Sequence, residues 1–327
     1  MGVTERLWEA MDTRAPRPTP PPPYRWAREA LRVASNALSR LWGRDVMLYT
    51  GGVSFYALLA AFPTLAIVIG VYSLLLTPAR AIAQADAMAH LLPQGAAELF
   101  MSELLRLSRA PIRIVSAQSG AALMISLYAA HRGFKALIAG LSLIHDEDNP
   151  HGFFRFNLMA AVVLIAAIAL VGVLSATFLT VRILASTLQA SPLKGVDWFY
   201  SEWTWASLGV SLGMTLIYRF AMSTRPVAWR GSVIGGAAAA VLTLAASWAS
   251  AIYAKQFAHF GATYGSIAAV VVLLVWLSWS VNAIFFGGAL ATEIELMIER
   301  HEAGLRLKAQ EGLSAPESSG ARPRTPA

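Results

Sequence analysis

The chain contains no cysteine and very little charge. None of its 327 residues is Cys, and only 14% are Asp, Glu, Lys or Arg. The first absence excludes disulfides, thiolate zinc sites, iron–sulfur clusters and cysteine nucleophiles. The second excludes an ordinary soluble domain, because a chain with 56% hydrophobic residues cannot cover itself with so few charges. We also expect no secretory signal peptide, since basic residues are spread through the region before the first long apolar stretch.

Long apolar runs replace the missing charge. Runs of about twenty apolar residues can cross a hydrocarbon core of roughly 30 Å as helices. With a mean hydropathy of +0.54, the chain is predicted to be an all-α integral membrane protein whose membrane domain covers residues 24–300. Six transmembrane helices are predicted near residues 48–76, 113–143, 157–184, 203–222, 231–254 and 266–292.

The remaining segments are predicted from composition. Residues 1–23 end in a proline tract and residues 301–327 form a mostly polar cytoplasmic tail, so both are expected to be largely disordered. Residues 24–45 show the pattern of an amphipathic, basic helix that suits the cytoplasmic surface of an anionic bilayer. A solvated helix packed on the protein's own loops fits the same pattern. Mixed polarity between spans one and two predicts a helical periplasmic loop.

Orientation follows from the positions of the Lys and Arg residues. Most of the 26 basic residues fall before span one, after spans two and four, and after span six. Positively charged loops stay in the cytoplasm, so both termini are predicted to be cytoplasmic. The net charge of +7 is thus a topology signal. Since no basic cluster is interleaved with exposed aromatic residues, we expect no nucleic-acid partner.

Three motifs in series are similar to a known family. The stretches "YTGGVSFYALLAAFPTL", "YRFAMSTRPVAWRGSVIGGAAAAVL" and "FGATYGSIAAVVVLLVWLSWSVNAIFFGGALATEIE" resemble the YihY/BrkB family of bacterial inner-membrane proteins. The resemblance covers roughly residues 30–300. It implies six helices, cytoplasmic termini and a location in the bacterial cytoplasmic membrane. The family once carried the label ribonuclease BN, which is regarded as a mistake, and some members are linked to lipid movement or serum resistance.

The chain departs from the family pattern at four positions. Family members often have Asn and Tyr near the end of span two, where this chain has Ser142 and His145. They often have Glu and Asn in the last helix, where this chain has Ala289 and Ala291. An activity that depends on those polar groups would be altered here.

Small residues mark the predicted helix contacts. Gly231, Gly235, Ala239 and Thr243 recur every four residues and form one stripe on span five. Such stripes let helix backbones approach closely in lipid. Gly51 and Ser54 form a similar small face on span one. A lined conduit is the alternative in both places, and Pro63 is expected to kink span one.

Polar residues within the spans are the candidate substrate pathway. One face of span two carries Tyr128, Arg132 and Lys135, either at the cytoplasmic interface or inside the bilayer. The two cations could bind a phosphate or carboxylate. Asn282 needs another helix or a wet cavity as its partner. The full set is Tyr56, Pro63, Tyr128, Arg132, Lys135, Arg219, Arg230, Asn282 and Glu293. For Arg219 and Arg230 the alternative role is to anchor the topology. For Glu293 the alternative is ordinary solvation or pairing with loop arginines.

Enzyme chemistry finds little support in the sequence. The stretch "HDEDNPHG", residues 145–152, could hold a metal, but it lacks helical His spacing and a second carboxylate group. We therefore expect a turn there, no catalytic or metal site, and no cofactor. A membrane-bound ribonuclease would depend on Asp146 or Asp148.

Two functions remain open. The first is a transporter or flippase-like protein for an anionic amphiphile, such as a lipid or envelope precursor, with anionic lipids as partners. The second is a non-catalytic membrane scaffold or envelope-integrity factor that binds copies of itself or an envelope protein. A transporter needs a polar or lipid-sized cavity, whereas a scaffold can be solidly packed.

Overall fold

The structure, a computed structural model, describes residues 23–42, 45–75, 112–146, 152–187, 201–257 and 266–314. These residues form seven α-helices. No strand occurs among these residues, so the predicted all-α class is confirmed for them. The helices are α1 Pro23–Trp42, α2 Val46–Leu75, α3 Ile112–Ile144, α4 Phe153–Thr187, α5 Glu202–Phe220, α6 Trp229–Phe257 and α7 Ser266–Ser314.

Three of these helices contain segments long and apolar enough to cross a membrane. Those segments are Phe153–Leu184, Trp229–Ala254 and Val270–Leu307, and Val46–Ala61 is a shorter apolar segment. Each long segment exceeds the roughly 20 residues that span a hydrocarbon core. The helices α2 to α7 coincide in order with the six apolar runs of the sequence. α7 continues beyond residue 292 because charged and apolar residues alternate with helical spacing after Glu293.

Several predicted segments lie outside the described residues. They are residues 1–22 of the proline-rich tail, the loop between spans one and two, and the last part of the C-terminal tail, residues 315–327. The amphipathic N-terminal segment is helical, and its helix begins at Pro23. Proline suits the first turn of a helix because the amide hydrogen it lacks would have no partner there.

The helix α7 contacts more of the other helices than any other described element. It packs along α6 and also contacts α1, α2, α3 and α5. The pairs α2–α3 and α5–α6 complete the packed body, whereas α4 touches α3 and α5 at its side. The core lies where these helices meet, and Tyr218, Ile138, Leu141 and Phe285 are fully buried there. The Tyr218 hydroxyl donates a hydrogen bond of 2.5 Å to the Ile284 carbonyl oxygen.

The α6–α7 contact depends on the absence of side chains. A Cβ atom at Gly231 would lie 2.8 Å from the Ala291 carbonyl oxygen, and one at Gly235 would overlap the Gly287 carbonyl oxygen. Ala239 lies against Gly287 in turn. The small stripe of α6 therefore faces α7 rather than lipid or a conduit.

Small residues on α2 have different surroundings. Gly51 is exposed, and no described atom lies within 4 Å of where its Cβ would be, whereas the Cβ position of Gly52 is 3.8 Å from Ala136 on α3. The packing role predicted for Gly51 is therefore wrong among the described residues, and a Cβ at Gly52 would make an ordinary van der Waals contact. Ser54 is buried, and its hydroxyl has no hydrogen-bond partner among the described residues.

A methyl group should therefore be tolerated on α4 and not on α6. We expect Gly235→Ala to lower the free energy of unfolding by roughly 1–3 kcal/mol, because backbone cannot yield as a flexible side chain can. The matched control is Gly172→Ala on α4, where nothing lies within 4 Å of the new Cβ. That variant should be neutral or slightly stabilising. Unfolding of the solubilised proteins measures both changes, and equal effects would contradict the close approach.

Candidate functional site

An apolar groove runs between α4 and α5 and has a volume of about 720 Å³. Its walls are almost wholly hydrocarbon, and Ser175 and Glu202 are the polar or charged side chains that line it. Lining residues of α4 extend from Met159 to Phe178, which corresponds to about 28 Å of helix at 1.5 Å per residue. The groove is thus as long as a hydrocarbon core is thick.

Glycines of α5 and small residues of α4 line part of the groove. Gly209 and Gly213 lie on the α4-facing side of α5, where their missing side chains would lie 3.0 Å and 3.3 Å from Leu174 and Leu170. The facing part of α4 also contributes small residues, Ala166 and Ala167. The groove wall is thus made of α5 backbone at the glycines and of leucine ends and small side chains on α4.

The two ends of the groove differ in charge. At one end the lining residue Glu202 accepts a hydrogen bond of 3.0 Å from Arg182, so the two charges offset each other. At the other end the groove is lined by Phe134 and Phe220, which adjoin Lys135 and Arg219 in the chain. Neither cation is itself among the described lining residues.

Lys135 faces α4 from the end of the groove. Its Nζ donates a hydrogen bond of 2.7 Å to Asn157 Oδ1. The ammonium also lies 5.8 Å and 5.6 Å from the ring centroids of Phe153 and Phe156. These partners are neutral, so the positive charge is solvated without being cancelled.

Arg219 closes the connection between α5 and α6. Its guanidinium donates to the Val227 carbonyl oxygen and stacks 4.5 Å from the Trp229 ring centroid and 5.5 Å from that of Phe220. Its buried Nε has no hydrogen-bond partner among the described residues. The guanidinium therefore has one unused hydrogen-bond donor.

The other predicted cations lie in different surroundings. Arg132 is exposed, and its Nε donates a hydrogen bond of 3.1 Å to the Tyr128 hydroxyl on its own helix. Arg230 is also exposed. Arg132 and Lys135, three residues apart, are thus engaged with different partners, Tyr128 on α3 and Asn157 on α4.

The predicted polar residues of α2 and α7 lie in separate surroundings. Thr50 donates a hydrogen bond of 3.1 Å to Asn282 Oδ1, so the Asn282 amide faces another helix. Tyr56 is half-buried on α2, and its Cβ lies 3.4 Å from where a Cβ of Gly133 on α3 would be. Pro63 lies within α2, which is assigned as one helix from Val46 to Leu75.

A part-buried ion pair lies at the end of α1. Glu293 pairs with an arginine, as the alternative for it predicted, but the partner is Arg40 on a helix, which sequence reasoning missed, and not a loop arginine. Arg40 Nε donates a hydrogen bond of 2.5 Å to Glu293 Oε1, and Asn36 donates one of 3.3 Å to Glu293 Oε2. Arg40 also donates to Asp146 Oδ2 at 2.7 Å and to the Ile144 carbonyl oxygen at 3.1 Å. We call these contacts the Arg40 lock, since one guanidinium joins α1, the end of α3 and α7.

Burial and hydrogen bonding shift the pKa of the Arg40 guanidinium in opposite directions. Burial lowers its pKa, but the carboxylates of Glu293 and Asp146 outweigh burial and raise the pKa above its ordinary value. The group stays charged at any physiological pH. The sequence held one signal for the lock, because Arg40 falls between Ala37 and Leu41 on the helix face that α1 buries.

The positions that depart from the family pattern have defined contacts. Ser142 donates a hydrogen bond of 3.1 Å to the Met222 carbonyl oxygen. His145 Nδ1 lies 3.1 Å from the Thr292 hydroxyl. Ala289 is fully buried, and Ala291 packs against Gly231 and Gly235. An Asn at position 291 would collide with α6.

No metal site is formed by the described residues, where no group of three or more His, Cys, Asp or Glu side chains is placed to hold an ion. Asp146 is hydrogen-bonded to Arg40 instead. Asp148 and His151 of the acidic stretch lie outside the described residues.

Comparison with known proteins agrees with the membrane-helix architecture. The model of the family "Virulence factor BrkB" matches residues 37–311. The chain therefore belongs to the BrkB family and is a membrane protein. The predicted YihY/BrkB resemblance is confirmed.

One curated relative carries a ribonuclease-like name. The chain is 28% identical over 171 residues to the ribonuclease-like protein YfkH of Bacillus subtilis (strain 168). That match covers 51% of this chain and 62% of YfkH. The chain thus spans less than two thirds of that relative. No solved structure matches the chain.

The Arg40 lock predicts a large difference between two arginine variants. Arg40→Gln leaves the Glu293 carboxylate buried without a cation, which should cost roughly 3–5 kcal/mol of stability. Arg182→Gln breaks the more exposed pair with Glu202 and should cost less than about 1 kcal/mol. Unfolding of the solubilised proteins gives both values.

A double variant separates charge from packing in the same experiment. Arg40→Gln combined with Glu293→Gln removes both charges and should recover much of the lost stability. If Arg40→Gln were as mild as Arg182→Gln, the lock would not hold α1 in place.

Proposed function

We propose that this protein is a transporter or flippase-like protein for an anionic amphiphile, such as a lipid or an envelope precursor. The groove between α4 and α5 carries this proposal. It is apolar along a length that matches a hydrocarbon core, and its volume of about 720 Å³ is within the range of ligand-binding cavities. An acyl chain fits such walls, because hydrocarbon forms no hydrogen bonds and therefore needs no polar partner there.

The charge at the groove end supports an anionic headgroup. Lys135 and Arg219 adjoin the lining residues Phe134 and Phe220, and their own partners are amides, carbonyls and rings. Arginine and lysine are the usual ligands of phosphate oxygens. Arg132, Arg230 and Tyr128 would widen this basic mouth, and Tyr56, Pro63 and Asn282 would line the inner path on α2 and α7.

The same proposal includes a topology. The helices α2 to α7 would cross the bacterial inner membrane six times, with both termini in the cytoplasm. The positive groove end, next to residues 134–135 and 219–220, would then face the cytoplasmic leaflet, as the positive-inside pattern requires. α1 would lie at that surface, and the lipids there would be the partners.

A scaffold is the alternative function, and one observation weighs against it. The small stripe that a partner helix would need on α6 is occupied by α7 at Gly231 and Gly235. A scaffold would then have to use another surface, including one that joins two copies of the chain. We propose no enzymatic activity and no cofactor, since Asp146 is held by Arg40. With no nucleotide-binding motif in the sequence, energy would come from an ion gradient, a partner, or a lipid gradient alone.

Native mass spectrometry of gently solubilised protein tests the groove. Ala167→Phe places a ring inside it, and Ala169→Phe places the same ring on the exposed side of α4, outside the groove lining. We expect a co-purified anionic lipid on the wild type and on Ala169→Phe, and a severalfold loss on Ala167→Phe. Lys135→Gln should weaken binding of anionic lipids more than of zwitterionic ones.

Transport is then measured with the lipid so identified, in vesicles that contain the protein. Movement between leaflets that Ala167→Phe abolishes and Ala169→Phe preserves would support the proposal. If Ala167→Phe and Ala169→Phe both carry the same lipids as the wild type, the groove is not the binding site, and the scaffold becomes the better function.

A further inference from the structure

The helix α1 has two separate apolar faces, only one of which the protein itself covers. Ala37 and Leu41 are buried against the protein, and the Arg40 lock lies on this same face. On the other side, Leu31, Leu38 and Trp42 are 70%, 47% and 72% exposed. Their spacings of seven and four residues place them on one line along the helix. We call these three residues the outer stripe of α1.

Charge beside the outer stripe favours one kind of partner. Arg28 and Arg32 are exposed on the next flank of the helix, and the described part of α1 carries one acidic residue, Glu29. An apolar stripe bordered by arginines is complementary to a surface that offers hydrocarbon beneath anionic headgroups. A soluble protein partner would need the same combination in one patch.

The position of α1 in the chain brings the outer stripe to the membrane surface. α1 ends at Trp42, and α2 begins at Val46 with the exposed apolar residues Met47 and Leu48. From Val46 to Leu75, α2 contains no charged residue. Trp42 thus lies within a few residues of the start of the apolar run, at the depth where Trp is enriched in membrane proteins.

We propose that α1 binds the surface of an anionic bilayer through its outer stripe while the Arg40 lock fixes its opposite face to α7. The inference rests on the proposed membrane topology and adds a lipid-binding surface distinct from the groove. Because Arg40 contacts Glu293, Asp146 and the Ile144 carbonyl oxygen, α1 cannot leave the protein without uncovering a buried carboxylate. The position of α1 on the bilayer is thereby tied to the ends of α3 and α7.

The natural lack of cysteine allows a direct test in the full chain. Single-cysteine variants Leu38→Cys and Glu29→Cys place a probe on two exposed residues that point about 180° apart around the helix. Each is labelled with the environment-sensitive fluorophore NBD and reconstituted in nanodiscs of phosphatidylcholine, with or without phosphatidylglycerol. Lipids that carry a quencher near the headgroup report contact with the bilayer.

We expect a blue-shifted NBD emission at position 38 and at least about twofold stronger quenching there than at position 29, as for an interfacial helix. Phosphatidylglycerol should strengthen the difference, and Arg32→Gln in the Leu38→Cys background should reduce that gain. Equal, water-like emission at both positions would overturn the proposal. So would shielding at position 38 without quenching by lipid, which would assign the outer stripe to a protein partner or a second copy. Neither variant touches the groove, so groove binding measured on the same samples tests the proposed function separately.

Discussion

Close approach between the backbones of α6 and α7 is the constraint on which the other contacts of the molecule depend. In lipid, water does not drive helices together, so association requires dense packing and shared hydrogen bonds. Gly231, Gly235 and Gly287 supply that density, because their backbones meet where any side chain would intervene. With α7 fixed in this way, Asn282 reaches Thr50 on α2, and Glu293 is presented to Arg40 on α1.

The groove between α4 and α5 is loosely packed, in contrast to the dense contact between α6 and α7. Only 11% of the residues in an apolar 18-residue segment of α4 are buried, compared with 39% in the corresponding segment of α7. α4 is joined to the protein at its ends, through Lys135 and Asn157 on one side and Arg182 and Glu202 on the other. A helix fastened at both ends, and facing glycines in its middle, leaves room for a ligand as long as the hydrocarbon core is thick.

Local signals were enough to predict the helices but not how they associate. α2 occupies 46–75 where 48–76 was predicted, and α5 occupies 202–220 where 203–222 was predicted, because the length of an apolar run is visible in the sequence. The Arg40 lock joins residues 253 positions apart, and no local pattern specifies such a partner. The groove is harder still, since Gly209 and Gly213 on α5 are the same residue type as Gly231 and Gly235 on α6. One pair meets backbone and the other meets flexible leucine ends, a difference set by the neighbour rather than by the glycines.

The cations of the protein differ in function because their partners differ in charge. Arg40 faces two carboxylates, which cancel its charge and turn it into a structural connection. Lys135 faces an amide and two rings, and Arg219 faces a carbonyl and two rings. Neutral partners orient a cation and partly replace its water while leaving its field available to an anion. Sequence patterns select Lys135 and Arg219 as candidate pathway residues and do not select Arg40. The structure separates a cation that holds helices together from two cations whose partners are neutral.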